Sequence, residues 1–390
     1  MDTRVRTNDG STQVISESQI ARLKLRLQGQ LLQPGAPGYE EARTVWNAMI
    51  DRRPALIVQC LDADDVTTAV NFARESGVLM AVRSGGHDIA GNAICEGGLV
   101  VDLSQMKTIA LDAASRRASV EPGVTSAELD RATAIHGLAV PVGINSMVGV
   151  AGLTLGGGIG WLSRKYGLTL DNLESVEIVT ADGHMLKASV QEHEDLFWAV
   201  RGGGGNFGIV TKFEFGCHPL SPHLLCGTIA FPFEEAFSAL GRYRTFCETM
   251  PEELSARAVL RQAPPLPFLP PEVHGREVFA LTLCYAGHPS DGDKLVDQLR
   301  SFGHPLGEDI AVRPFAEWQQ AFDDLLVAGA RNYWKSHNFF ELPDPLLEAM
   351  TDYAGTVPSS ECECWSPRSA ARCPGSRPKP RRMRTGMLAS

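Results

Sequence analysis

The stretch AVRSGGHDIAGNAICEGGLVVDLS, residues 81–104, decides how this chain is read. Leu79 to Val82 is a short apolar run suited to a buried strand, and it enters the tight turn Arg83-Ser84-Gly85-Gly86-His87. A second strand is expected from Leu99 to Leu103. Two successive glycines lack a Cβ and admit φ > 0, so consecutive backbone N–H groups can curl round an anion. A histidine ending such a nest stands beside whatever the nest holds. The plainer alternative is a glycine hairpin with a surface histidine.

Upstream, Ala55 to Cys60 reads as a strand. Asp62 to Asp65 then caps a helix whose Val66, Ala69, Val70 and Ala73 recur at helical spacing, and Gly77 ends it. The order is that of a βαβ unit with a glycine nest at the carboxyl end of a strand. A Rossmann dinucleotide unit begins similarly, but its G-x-G-x-x-G must open a helix. RSGGHDIAGN opens no amphipathic helix, which excludes the NAD reading.

Two further glycine blocks follow in order, VPVGINSMVGVAGLTLGGGIGWLSRKYGLTLDNL (140–173) and FWAVRGGGGNFGIVTKFEF (197–215). Glycines among small apolar residues let backbone approach a flat ligand closely. Between the blocks, Thr125-x-x-Glu128 is a capping box for a helix reaching His136, and Asp182-Gly183 turns a hairpin from Val176 to Ser189. Together the three blocks resemble the FAD-linked oxidases of the vanillyl-alcohol oxidase and p-cresol methylhydroxylase superfamily, and within it the berberine-bridge-enzyme-like subgroup. The resemblance is dense from Arg43 to Leu220 and thin onward to Glu363.

That resemblance implies an α+β fold: a PCMH-type FAD-binding domain of two α/β subdomains, then a smaller α+β substrate domain with an antiparallel sheet. The implied boundaries are an N-terminal segment over 1–42, the FAD-binding domain over 43–220 and an incomplete substrate domain over 221–363. It implies FAD bound by Arg83, Ser84, Gly85, Gly86, His87, Asp88, Gly91 and Asn92 in the first block. In the second block it implies Val148, Gly149, Gly152, Gly156, Gly157, Gly158 and Gly160, and in the third Asn206, Gly208 and Ile209. His87 matches the histidine that relatives bond to the flavin 8α-methyl group. Asn145 stands where many relatives carry a second, cysteinyl tether, so a single covalent link is expected. Val148 falls where oxidases keep a small residue that admits O₂. Ile159 replaces a tyrosine of some plant relatives, and no catalytic base can be named. Lys165 and Tyr166 lie in the motif without a role that the motif assigns.

Composition bounds the partners. Apolar residues make 44% of the chain and charged ones 21%, as in ordinary soluble domains. No apolar run is long enough for a membrane span, and the first residues have no apolar core behind their charges, so a cytoplasmic protein is expected. The net charge of −10 argues against nucleic acid. Nine cysteines at irregular spacing read as reduced thiols, Cys95 among them, and no metal site is expected, even at Cys362, Cys364 and Cys373.

The charge is unevenly spread. Residues 364–390 hold seven Lys and Arg and no Asp or Glu, leaving a net −17 on residues 1–363. With four prolines and no apolar period, this stretch reads as an aberrant, disordered basic tail. It resembles no part of the family, and a slip of reading frame near Cys364 would explain it. A basic tail for anionic surfaces is the rival.

The function expected is an FAD-dependent oxidase that takes a hydride from a C–H of a small molecule (an alcohol, sugar or secondary metabolite) and passes the electrons to O₂. A truncated flavin-binding remnant without catalysis is the alternative. A flavin-dependent NAD(P)H reductase shares the fold, and the His87 turn argues against it.

Overall fold

The computed structural model describes residues 2–339, 341–367 and 383–388, which form two compact units. The first comprises residues 1–158, 169–219 and 322–331; the second comprises 159–168, 220–321 and 332–390.

The first unit holds two larger sheets. One has the order Gln30–Leu32, Leu56–Gln59, Leu99–Asp102, Met80–Arg83, in which the last three strands are parallel and the first is an antiparallel edge. Both Leu56 and Met80 face Leu99 in register, so the Ala63–Ser76 helix is the crossover of a βαβ unit. Asp62 caps this helix by accepting from the Asp65 N–H, and Gly77 closes it in the left-handed region at φ 60°. The central strands are buried on both faces, which explains their unbroken Leu and Val runs. The other sheet is antiparallel, in the order Met185–Ser189, Leu173–Val179, Ile209–Gly216, Arg117–Val120, Ile109–Asp112. Its apolar face packs on the Ser126–Ala134 helix, whose Thr125/Glu128 capping box is formed.

Asp65 looks from sequence like part of a helix cap, but it turns backward. Its carboxylate, 1% exposed, accepts from the N–H groups of Gln28, Gly29 and Leu61 at 2.8, 2.9 and 2.9 Å. Asp65→Ala therefore strands three donors. Each stranded buried donor costs about 1–3 kcal/mol, so a loss of about 3 kcal/mol or more is expected. In a thermal melt this lowers Tm by roughly 6–12 °C, and a fall under about 2 °C would show that water replaces the carboxylate.

Several local expectations are corrected. The first dozen residues, whose sequence shows no apolar period and reads as disordered, contribute to the hairpin Thr3–Arg6 with Thr12–Ile15, because Val5 and Ile15 join the core beside Leu56 and Val58. Cys217-His218-Pro219-Leu220, which by sequence reads as the linker out of the first domain, contains the short strand His218–Pro219 paired with Leu138–Ala139. The second glycine block contains the helix Val150–Gly156, where packing of Val150 and Ala151 overrides the poor helix propensity of glycine.

The second unit is built on one antiparallel sheet in the order Gly307–Pro314, His223–Pro232, Glu277–Tyr285, Leu254–Gln262, Glu363–Pro367, Met383–Leu388, His337–Phe339. The helices Ala236–Thr249, Pro289–Arg300 and Asp344–Ala354 contribute to a core with Leu254, Ala256, Ala258 and Leu260. The stretch 332–340 reads by sequence as a strand, and among its described residues His337–Phe339 are one. The proline-rich stretch APPLPFLPPEV, 263–273, which by sequence suits the surface or a pocket rim, buries Ala263, Leu269 and Val273 against Ala230 and Val278. Of the stretch read as a disordered tail, residues 368–382 and 389–390 lie outside the described residues. Glu363–Pro367 and Met383–Leu388 are strands.

Arg164 of the RKYGL segment is 5% exposed and donates to the carbonyls of Leu254, Met250 and Pro251. Lys165 donates to Ala286 O at 2.8 Å. Both side chains staple the second unit.

Candidate cofactor site

The site starts where the Met80–Arg83 strand ends. Gly86 sits at φ 66°, which turns the chain sharply and leaves His87 at the end of the turn. Gly85 lies against Gly149: a Cβ on Gly85 would stand 2.7 Å from Gly149 N, and one on Gly149 would stand 2.7 Å from Gly85 N. Glycine is required on both sides because the opposing atoms are backbone. The Ser84 hydroxyl donates to Pro122 O at 2.5 Å, and the Arg83 guanidinium donates to Ala42 O.

His87 is half-buried, and its ring stacks on Trp46 at a centroid distance of 4.1 Å and 19° between planes. Its Nε2 is buried and has no hydrogen-bond partner among the described residues. Burial pushes the imidazole pKa below its ordinary value, so the ring is uncharged at neutral pH.

Trp46 is itself held. Its indole donates to Leu326 O at 3.0 Å, and its carbonyl accepts from Gly329 N at 3.0 Å. The same returning segment carries Asp323, whose carboxylate accepts from Ser146 N at 3.2 Å and from the Ser146 hydroxyl at 2.5 Å. Ser146 leads to Val148 and Gly149, and Gly149 returns to Gly85. The contacts thus close a ring through residues 84–87, 46, 323–329 and 146–149. Asn145, 4% exposed, adjoins this ring; its Oδ1 accepts from Met147 N at 2.8 Å while Nδ2 is buried without a partner among the described residues.

The other candidate residues fall in distinct places. Asp88 accepts from Asn92 N at 2.5 Å and closes the loop after the turn, and Gly91, at φ 76°, packs on Ile50. Val148 is half-buried, and its carbonyl accepts from Ser126 N. Gly152 and Gly156 are exposed on one face of the Val150–Gly156 helix, with open space where a Cβ would be. Gly157 and Gly158 both have positive φ, and Gly158 packs on Thr169. Asn206 donates to Gly203 O within its own turn. Gly208 leads Ile209 into its strand beside Val179. The second and third blocks meet where Gly202 N donates to Leu155 O. Gly160 lies in the second unit, where its N–H donates to the Ser163 hydroxyl.

Sequence reasoning missed Trp46 and Asp323. Trp46 sits in an irregular loop, and Asp323 lies 177 residues from Ser146, so no local pattern exposes either. Cys95 is buried and its thiol pKa is pushed up to about 11, which leaves it protonated and unreactive at neutral pH. Among the described residues no cluster of His, Cys, Asp and Glu could hold a metal ion. Cys373 lies outside the described residues. No described helix is long and apolar enough to cross a membrane.

Residues 54–189 match the family model described as an FAD binding domain. An FAD-linked oxidoreductase of Dictyostelium discoideum is 33% identical over 358 residues, covering 90% of this chain and 74% of that protein. The chain belongs to the FAD-linked oxidoreductases. The (R)-6-hydroxynicotine oxidase of Paenarthrobacter nicotinovorans is 35% identical over 295 residues, covering 75% of this chain and 62% of that protein. The crystal structure of 6-hydroxy-D-nicotine oxidase from Arthrobacter nicotinovorans superposes with a TM-score of 0.78 at 29% identity, covering 88% of this chain and 76% of that one. The fold of this FAD-linked oxidoreductase is thus that of the vanillyl-alcohol oxidase and p-cresol methylhydroxylase superfamily.

The ring of contacts fits FAD. It offers a buried imidazole nitrogen and a buried amide donor that have no partner among the described residues, beside backbone that only glycine allows to approach so closely.

His87 and His218 also set a pH dependence. Burial lowers the pKa of both, and the Arg116 charge adds to the effect at His218. Folded pKa values below the unfolded value of about 6.5 mean that stability is full above that pH and is lost as pH falls toward the folded values. Each group contributes at most about 1.4 kcal/mol per pH unit in that window. Tm of the flavin-free protein is expected to fall between pH 7 and pH 5.5, and the fall should shrink in H87Q/H218Q.

Proposed function

We propose that the first unit binds FAD, joins it covalently through His87 alone, and works as an oxidase on a small organic substrate bearing a hydroxyl or amine. In this reading the flavin-binding domain is residues 43–220 without 159–168 and with 322–331 added, and the rest of 221–363 belongs to the substrate domain. The observation that carries it is the buried, unpartnered Nε2 on an uncharged imidazole at the end of the glycine turn. An uncharged ring can act as a nucleophile, and stacking on Trp46 fixes its plane. When bound, FAD supplies a hydride acceptor at N5 and a route for electrons to O₂.

The chain's own residues orient and enclose. The turn from Arg83 to His87 offers backbone N–H groups to the pyrophosphate, and Gly91 and Asn92, whose own N–H groups are taken up by Asp88, shape the loop beside it. The bare face at Gly152 and Gly156, the bends at Gly157 and Gly158, and the turn through Asn206, Gly208 and Ile209 leave room for the flat parts of the cofactor. Asn145 carries no sulfur, which supports one covalent link instead of two. Val148 lies beside the Gly85–Gly149 contact, a placement that suits control of O₂ access.

The test is an absorption spectrum before and after acid precipitation. Yellow colour that stays with the pellet and maps to the His87 peptide supports the reading. Colour released to the supernatant removes the tether but keeps the cofactor. Protein that neither carries nor takes up FAD sinks the proposal.

A further inference from the structure

We infer that Asn145 donates a hydrogen bond from Nδ2 to the flavin ring, and that Asp323 is a positioning residue that aims this amide through Ser146. This rests on the reading of the first unit as the FAD-binding one.

Burying an amide donor without an acceptor is costly, so such a group signals an acceptor that arrives with a ligand. The alternative orientation of the amide, with O and N exchanged, would set Nδ2 against the Met147 N–H, donor against donor. The 2.8 Å bond from Met147 N to Oδ1 therefore assigns the orientation and turns Nδ2 away from its own backbone. The two bonds from Ser146 to Asp323 then fix the adjoining residue. Among the described residues His87 Nε2 and Arg83 Nε, in the turn that meets Gly149, are also buried without a partner, so the same stretch of chain leaves several polar atoms for a ligand.

The flavin ring presents carbonyl oxygens and ring nitrogens as acceptors, and it gains electron density on reduction. A fixed donor bonds the reduced ring more strongly than the oxidised one and so raises the potential.

The experiment measures the midpoint potential and visible absorption bands of flavin bound to wild type, N145L, N145D and D323A, all as full-length protein. N145L is expected to lower the ratio of reduced to oxidised flavin at a given potential about tenfold, equivalent to about 30 mV for a two-electron couple. N145D, nearly isosteric and without the donor, shifts further in the same direction, and it gives the result should N145L fail to fold. D323A produces a smaller shift of the same sign. A purely structural role would lower flavin content and Tm while leaving the potential of the retained flavin unchanged. N145D with flavin bound at wild-type potential and with wild-type bands overturns the inference and leaves the flavin reading standing. Wild type that takes up no FAD overturns the reading itself.

Discussion

His87→Ala is expected to move all of the flavin colour from the acid pellet into the supernatant. Alanine has no nucleophile, and the ring nitrogen it removes is the buried one that has no partner among the described residues. The change leaves a gap beside Trp46, whose stacking contact is worth about 0.5–1.5 kcal/mol, so folding survives. A tether also raises the flavin potential, and its loss is expected to lower turnover about tenfold or more, a barrier change of about 1.4 kcal/mol. The comparison to make is the acid-precipitated spectrum beside the melting curve. Colour that persists in the pellet of the variant places the covalent bond elsewhere.

Gly149→Ala carries the other large effect. Its Cβ would meet Gly85 N at 2.7 Å and the Ser84 hydroxyl at 2.8 Å, and the backbone atom cannot swing aside as a side chain could. Overpacking of this kind costs about 1–3 kcal/mol, here at the contact that sets the turn. Both Tm and flavin content are expected to fall. Gly152→Ala, three residues on, meets no atom within 4 Å, and as a helix position it is expected to leave Tm unchanged or raise it. Equal Tm losses in the two variants would mean that the Gly85–Gly149 approach is not the reason for glycine.

Much of this was legible because it is local. The Asp62 cap, the Gly77 terminator, the Thr125/Glu128 box and the Asp182-Gly183 turn are each fixed by residues a few positions apart. The glycine turn is legible for the same reason. The Thr3–Ile15 hairpin was not, since only Val5 and Ile15 are buried there and two apolar residues make no period. The Val150–Gly156 helix was hidden by its glycines, because tertiary packing decides it. Trp46 and Asp323 were invisible because their partners arrive from the far side of the sequence.

The division of the first unit into three stretches of chain bears on the order of events during synthesis. The partner of the Trp46 indole lies 280 residues downstream, on a stretch that follows most of the second unit. At about 5–20 residues per second, translating residues 220 to 321 takes roughly 5–20 s. Throughout that interval His87 stands beside a tryptophan whose anchor has not left the ribosome. The half of the molecule begun first is therefore completed late, and the ring of contacts around His87 closes only then.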